Sequence, residues 1–197
     1  MTDNGNFLLD YVLEGEELDI LKYPNPFLKK KGSVVEIFDT ELRIFIKNLL
    51  YTMYVSKGIG LASPQVGKSF RIFVLDIDYK KEKVTGPDGR EKTNFKDFNP
   101  QVFINPVFIR KEGEVLCEEG CLSLPGIFEE VKRAKNVQVE YYDMFGNKQV
   151  CDAEGLYSVC IQHENDHLDG IVFLERLSLL KRNILKKKFL KTQALSS

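Results

Sequence analysis

Histidine is almost missing from this 197-residue chain, which has two, His163 and His167. An excess of charge of either sign is missing too, because 28 basic residues offset 29 acidic ones and leave a net charge of −1. That balance excludes a global field drawing the chain to DNA or to a membrane surface. No apolar run approaches the roughly 18 residues that a membrane span needs. The N-terminus lacks the basic start and apolar stretch of a signal peptide, and its acidity argues against an arginine-rich transit peptide. The cytoplasm is therefore the expected location, where thiols stay reduced. The four cysteines (Cys117, Cys121, Cys151, Cys160) then read as core residues plus at most one metal ligand. There is no internal repeat and no low-complexity tract.

What is present is an ordinary globular composition, 43% hydrophobic and 29% charged, at a length that suits one domain. The expected division is an N-terminal extension over 1–18, loosely attached, and a single domain over 19–197. The ends differ in charge: residues 1–21 carry six acids and no base, and residues 181–191 carry six bases and no acid. "DTELRIFIKNLLYTMYVSKG" predicts a helix capped by Asp39 or Thr40. Its apolar stripe is Leu42, Phe45, Ile46, Leu49, Leu50, Met53 and Tyr54, and Gly58 takes the C-terminal glycine position.

Strands are expected at 70–78, 101–110 and 114–117, with a polar surface excursion at 80–99. A hairpin follows through Val137, Val139 and Tyr141, turning at Phe145-Gly146-Asn147. From Gly155 the apolar period becomes helical, and Gly170 closes the helix. Both histidines then face inward with Leu156, Val159 and Cys160. A basic amphipathic helix ends the chain. The class is α+β, with antiparallel β-sheets packed around a central helix that carries both histidines, one helix in the N-terminal half and one at the C-terminus.

Both histidines lie in "QHENDHLDG", with Glu164 directly after the first. On a helix, side chains at i and i+4 project side by side, so two imidazoles can bind one ion. The HExxH pattern adds a glutamate placed to take a proton from water and deliver it to a leaving group. A catalytic ion needs a third protein ligand and an open fourth position. With no third histidine, that ligand is Cys, Asp or Glu. The longer pattern HExxHxxGxxH holds through Gly170 but ends on Phe173, so it fails. Glu175 follows His167 closely and is a weak choice. Cys160 shares the helix face, but helical side chains lean towards the N-terminus and aim its thiol away. Cys151, in a strand, reads as a small core residue. Cys121 stands in "CEEGCLSLPGI", where Gly120 and a Leu-Pro-Gly turn allow close approach. It leads, with Cys117 and the carboxylates behind it.

These segments resemble the three motifs of the peptide deformylases, GxGLAxxQ, EGCLS and QHExDH. They stand here in that order as "GIGLASPQ" (Gly58–Gln65), "EGCLS" (Glu119–Ser123) and "QHENDHLDG" (Gln162–Gly170), and the similarity spans Leu21 to Lys191. The resemblance implies that Cys121, His163 and His167 hold one divalent metal, Fe2+ first, with Zn2+, Ni2+ or Co2+ as alternatives. It implies that a water on that metal attacks a formyl carbon, with Glu164 as general base and then acid. Gln65 and the backbone N–H of Leu122 would stabilise the oxyanion. The substrate would be the N-formylmethionyl end of nascent peptides, and formate the product. Gly58, Ile59 and Gly60 would lie beside the peptide backbone. Ile59, Leu156 and Cys160 would line the methionine pocket, although each also reads as core.

Departures from the family pattern are Ser63 for a second alanine, Lys57 where an acid is common, and Phe128 where some members carry arginine. Arg133, which would pair with that acid, then needs another partner, and Glu118 or Glu130 is the expected one. The basic C-terminal helix also suits the ribosome as a partner. Rival readings are an HExxH endopeptidase and an inactive, metal-stabilised binding module. The latter expects a lost catalytic glutamate or glutamine, and both Glu164 and Gln65 are present.

Overall fold

The structure, a computed structural model, describes Leu8 and residues 10–85 and 90–196. Residues 1–7 and 9 of the expected extension, 86–89 of the expected excursion, and Ser197 lie outside the described residues. Helix α1 (Thr40–Val55) starts as expected. The Asp39 side chain accepts from the Leu42 N–H at 2.9 Å, a cap whose loss costs about 1 kcal/mol. Leu42, Ile46, Leu49, Leu50 and Met53 are buried, each contributing about 1.5–3 kcal/mol. Phe45 of the expected stripe is only partly buried.

The end of α1 differs from the expectation. Lys57, not Gly58, adopts the left-handed conformation, at φ 62°. The N–H groups of Lys57 and Gly58 close the last turn on the Tyr54 and Met53 carbonyls.

The strands are β1 (Gly60–Ala62), β2 (Ile72–Leu75), β3 (Lys80–Thr85), β4 (Glu91–Lys96), β5 (Gln101–Glu112), β6 (Val115–Cys121), β7 (Leu124–Arg133), β8 (Asn136–Tyr142) and β9 (Lys148–Glu154). Helix α2 (Gly155–Leu168) follows, and then α3 (Leu179–Ser196). The main sheet runs β1-β2-β5-β8-β9, while β3–β4 and β6–β7 are two-stranded ribbons. Pairing between these strands is antiparallel throughout, and the fold is α+β as expected. Among the described residues no helix is long and apolar enough to cross a membrane.

Side-chain alternation divides the core. Ile72 and Val74 of β2 join the cluster under α1, and Phe73 and Leu75 join the cluster under α2. A strand covered on both faces is apolar at every position, as β2 is. The ribbon β6–β7 meets α2 through Cys121, Arg133 and Glu119, and its Leu124, Ile127 and Val131 pack with Phe173 and with Phe189 of α3. Every residue of α2 from Ser158 to Leu168 is therefore buried, not only the apolar face read from its spacing.

The polar excursion lies on the surface as expected, and its described residues pair regularly as β3 and β4, in which Lys83 meets Glu91 at 3.1 Å. Its lysines and glutamates have low strand propensity, and neighbouring opposite charges offset it. The described part of the extension is docked rather than loose. The Leu18 N–H donates to Thr52 Oγ1 (2.8 Å) and the Glu16 N–H to Asn48 Oδ1 (3.0 Å). Tyr11 is buried against Tyr54 and Phe98.

Candidate active site

The first motif begins where α1 ends. A Cβ on Gly58 would fall 2.7 Å from Leu122 Cδ1, and one on Gly60 would fall 2.8 Å from Glu164 Cδ. Both glycines therefore allow close approach, Gly58 to the flexible end of Leu122 and Gly60 to the Glu164 carboxylate. After β1 the chain forms a short 3-10 helix, Ser63–Val66, that presents the buried Gln65. Gln65 Oε1 accepts from the Ala62 N–H at 2.8 Å. That bond assigns the amide, so Nε2 donates to Ser123 Oγ (3.2 Å) and Cys121 Sγ (3.5 Å).

The second motif ends β6. The ladder slips between Gly120 and Cys121, where the ribbon turns into β7. A Cβ on Gly120 would strike the Phe128 ring at 2.6 Å. The entry segment fastens the turn, with Lys22 Nζ donating to Leu122 O (2.8 Å) and the Tyr23 N–H to Ser123 O (2.9 Å).

The third motif is the C-terminal half of α2 and the two residues after it. One ligand atom each from Cys121, His163 and His167 lies within 4.8 Å of the others, and Cys121 Sγ is 3.3 Å from His167 Nε2. His163 Nδ1 is 2.8 Å from Glu119 Oε2, so its Nε2 is left for the cluster. Burial raises the Cys121 thiol, but the two imidazoles outweigh burial and hold it well below the ordinary thiol range. Burial lowers His163, but Cys121 and Glu119 outweigh it and hold the imidazole well above its usual value. Burial pushes Glu164 up to about 7, against the pull of the two imidazoles. Two buried polar atoms here, Glu164 Oε2 and His167 Nδ1, have no hydrogen-bond partner. A thiol held towards thiolate and two imidazoles suit iron(II) or zinc alike. The unpartnered Glu164 oxygen leaves a proton acceptor beside them.

A charge network unforeseen in the sequence supports this cluster. Arg133 grips Glu119 with two bonds, 2.6 and 2.9 Å, and reaches Asp166 at 2.6 Å. Arg176 holds Asp166 from the other side. Burial raises Glu119, but Arg133 and His163 outweigh it and bring the carboxyl down to about 2. Arg133 thus pairs with neither Glu118 nor Glu130, which both stay exposed. Strand alternation explains the difference: Glu119 and Cys121 share the inward face of β6, while Glu118 points out. That alternation was a readable signal for Glu119, and the i, i+3 spacing from His163 was one for Asp166.

The cluster opens on a cleft of about 620 Å3. Cys121, His163, Glu164, Gln65 and Leu122 line it, as do Gly58, Ile59, Gly60, Leu156 and Cys160. His167 is buried behind the lining, 1% exposed. Leu156 is 49% exposed and so is a mouth residue rather than core, whereas Cys160 is buried. Cys117 lines the cleft as well, but neither it nor Glu175 joins the ligand cluster.

The chain is similar over most of its length to known proteins. The profile of the family described as polypeptide deformylase matches residues 17–183. A peptide deformylase of Wolinella succinogenes is 41% identical over 179 residues, 91% of this chain and 99% of that protein. The crystal structure of peptide deformylase from Ehrlichia chaffeensis superposes with a TM-score of 0.79 at 33% identity, covering 92% of this chain and 99% of the other. That of a Synechococcus elongatus peptide deformylase in complex with actinonin gives 0.73 at 38% identity, covering 87% and 86%.

Proposed function

The chain belongs to the polypeptide deformylase family, and we propose that it hydrolyses the formyl group from the N-terminal methionine of new polypeptides. The observation that carries the reading is the meeting of three distant motifs in one cleft, a thiol and two imidazoles beside a buried carboxylate. Cys121, His163 and His167 would hold one divalent ion, iron(II) foremost, with zinc, nickel or cobalt as alternatives. When bound, the ion supplies positive charge that acidifies a water and polarises the formyl oxygen.

The chain's own groups do the rest. Glu164, poised to give and take a proton near neutral pH, accepts one from the attacking water and returns it to the leaving nitrogen. Hydroxide adds to the formyl carbon, the C–N bond breaks, and formate and a free amine leave. Gln65 Nε2 and the Leu122 N–H donate to the oxyanion, and losing one such donor costs about 3–4 kcal/mol. Glu119, held by Arg133, keeps His163 in the tautomer that leaves Nε2 for the ion. The Gly58–Ile59–Gly60 strand pairs with the peptide backbone. Ile59 and Leu156 at the mouth, with Cys160 inside, receive the methionine side chain.

The same reading takes residues 19–197 as one catalytic domain, places the enzyme in the cytoplasm, and gives α3 to the ribosome. Changing Lys186, Lys187 and Lys188 to Glu should weaken ribosome co-sedimentation in a salt-dependent way, and unchanged co-sedimentation removes that role. The decisive test joins metal analysis of anaerobically purified protein to a formate-release assay. The reading expects one ion per chain and turnover of formyl-Met-Ala-Ser. Cleavage of unformylated internal peptides without formate release would replace it with an endopeptidase.

A further inference from the structure

Just before β1, the three consecutive carbonyls of Lys57, Gly58 and Ile59 are held by the chain that runs from β2 into β3. The Asp76 N–H donates to Ile59 O (3.0 Å). Tyr79 Oη donates to Gly58 O (2.7 Å), and Lys81 Nζ donates to Lys57 O (2.7 Å). On its other side the same segment approaches Leu122 at Gly58 and Glu164 at Gly60, where an added Cβ would fall within 3.0 Å of each. The strand is thus clasped between the reacting groups and the base of the hairpin.

Tyr79 is itself fixed. Asp76, fully buried, accepts from the Asp78 and Tyr79 N–H groups on Oδ1 (2.9 and 3.1 Å). Its Oδ2 accepts from Tyr54 Oη (2.6 Å) and the Asn99 N–H (2.7 Å). The Tyr79 ring meets Tyr54 edge-on at 4.9 Å and packs near Phe95 of β4 at 6.1 Å. Burial, and then the Asp76 carboxylate, push the Tyr79 phenol up, so it remains a donor at neutral pH. Neither Tyr79 nor Lys81 lines the cleft; each meets the substrate-side segment only through a backbone carbonyl.

We propose that Tyr79 is a positioning residue for the formyl-peptide, holding Gly58 O so that Gly58–Gly60 is already shaped to pair with the substrate backbone, and that Lys81 adds a second hold. The hairpin thereby gains a purpose as a buttress of the substrate strand. The inference rests on the deformylase reading above, and it places the effect on binding rather than on the chemical step.

Tyr79→Phe keeps the ring packing and removes only the donor. With formyl-Met-Ala-Ser, KM should rise about three- to tenfold, the range for one neutral hydrogen bond. The kcat should stay within about twofold of wild type and metal content should be unchanged, because the reacting groups are untouched. Adding Lys81→Met should raise KM further. Lys80→Met, which breaks the exposed Lys80–Asp97 pair of the same hairpin, should leave both constants as they were. Wild-type turnover with an unchanged KM in Tyr79→Phe would overturn the inference and leave the functional reading intact. An equal rise in KM for Lys80→Met, or a loss confined to kcat, would also overturn it. Wild-type protein that releases no formate would remove the functional reading, and this inference with it.

Discussion

Replacing Gly60 with alanine tests whether the closeness of the first-motif strand to Glu164 governs turnover. The new Cβ would lie 2.8 Å from Glu164 Cδ and 2.9 Å from Cγ, and nearer still to Oε1, where ordinary contacts begin at 3.4 Å. Gly60 is not among the positive-φ glycines, so alanine meets no backbone strain and the whole effect is displacement. Either the strand or the carboxylate must retreat by about half to one ångström, and misplacing a reacting group by that much costs up to ~100-fold in rate. We expect kcat/KM to fall roughly 10- to 100-fold, with metal content unchanged and Tm shifted by no more than about 4 °C. Gly58→Ala is the contrast. Its Cβ would meet the far end of Leu122, which can change rotamer, so the loss should be smaller. Steady-state formate release, with metal measured on the same samples, decides between these outcomes. A fully metallated Gly60→Ala protein with wild-type kcat/KM would refute the argument that this contact sets the position of Glu164.

Glu164→Ala should keep its metal and lose about 10²- to 10⁴-fold in kcat; substantial remaining turnover would assign the proton transfer elsewhere. Cys121→Ser should bind metal more weakly or change metal preference, measured as ions per chain after dialysis, and a full complement with normal activity would exclude Cys121 as a ligand. Arg133→Met leaves Glu119 with His163 alone, while Asp166 keeps Arg176. Breaking such a buried pair costs about 3–5 kcal/mol, or roughly 10 °C in Tm by thermal denaturation. An unchanged Tm would mean that the network carries no stability.

Most of the site was legible because its chemistry is written in short segments. The histidine pair and Glu164 follow from i, i+4 spacing on one helix, and the cysteine was narrowed by the glycine and turn residues around it. Hairpin β8–β9 and helices α1 and α2 follow from apolar periods of two and of three to four. The partner of Arg133 was misjudged between neighbours in sequence, because the choice among Glu118, Glu119 and Glu130 turns on which face of β6 is covered. The end of α1 was misplaced for a related reason. Lys57 takes the left-handed position after the helix, and Gly58 lies instead against Leu122, distant in sequence.

The amino-acid order alone therefore determined which groups could react, since acid, thiol and imidazole chemistry belongs to the residues and helical spacing is local. Only the tertiary structure decided how those groups are held. Arg133 and Asp166 charge-balance the cluster, Glu119 orients His163, and Tyr79 reaches back to Gly58, through contacts that join residues from 14 to 44 positions apart. Such contacts depend on which faces the sheets bury and on how closely the backbones approach. Neither is a property of any single segment.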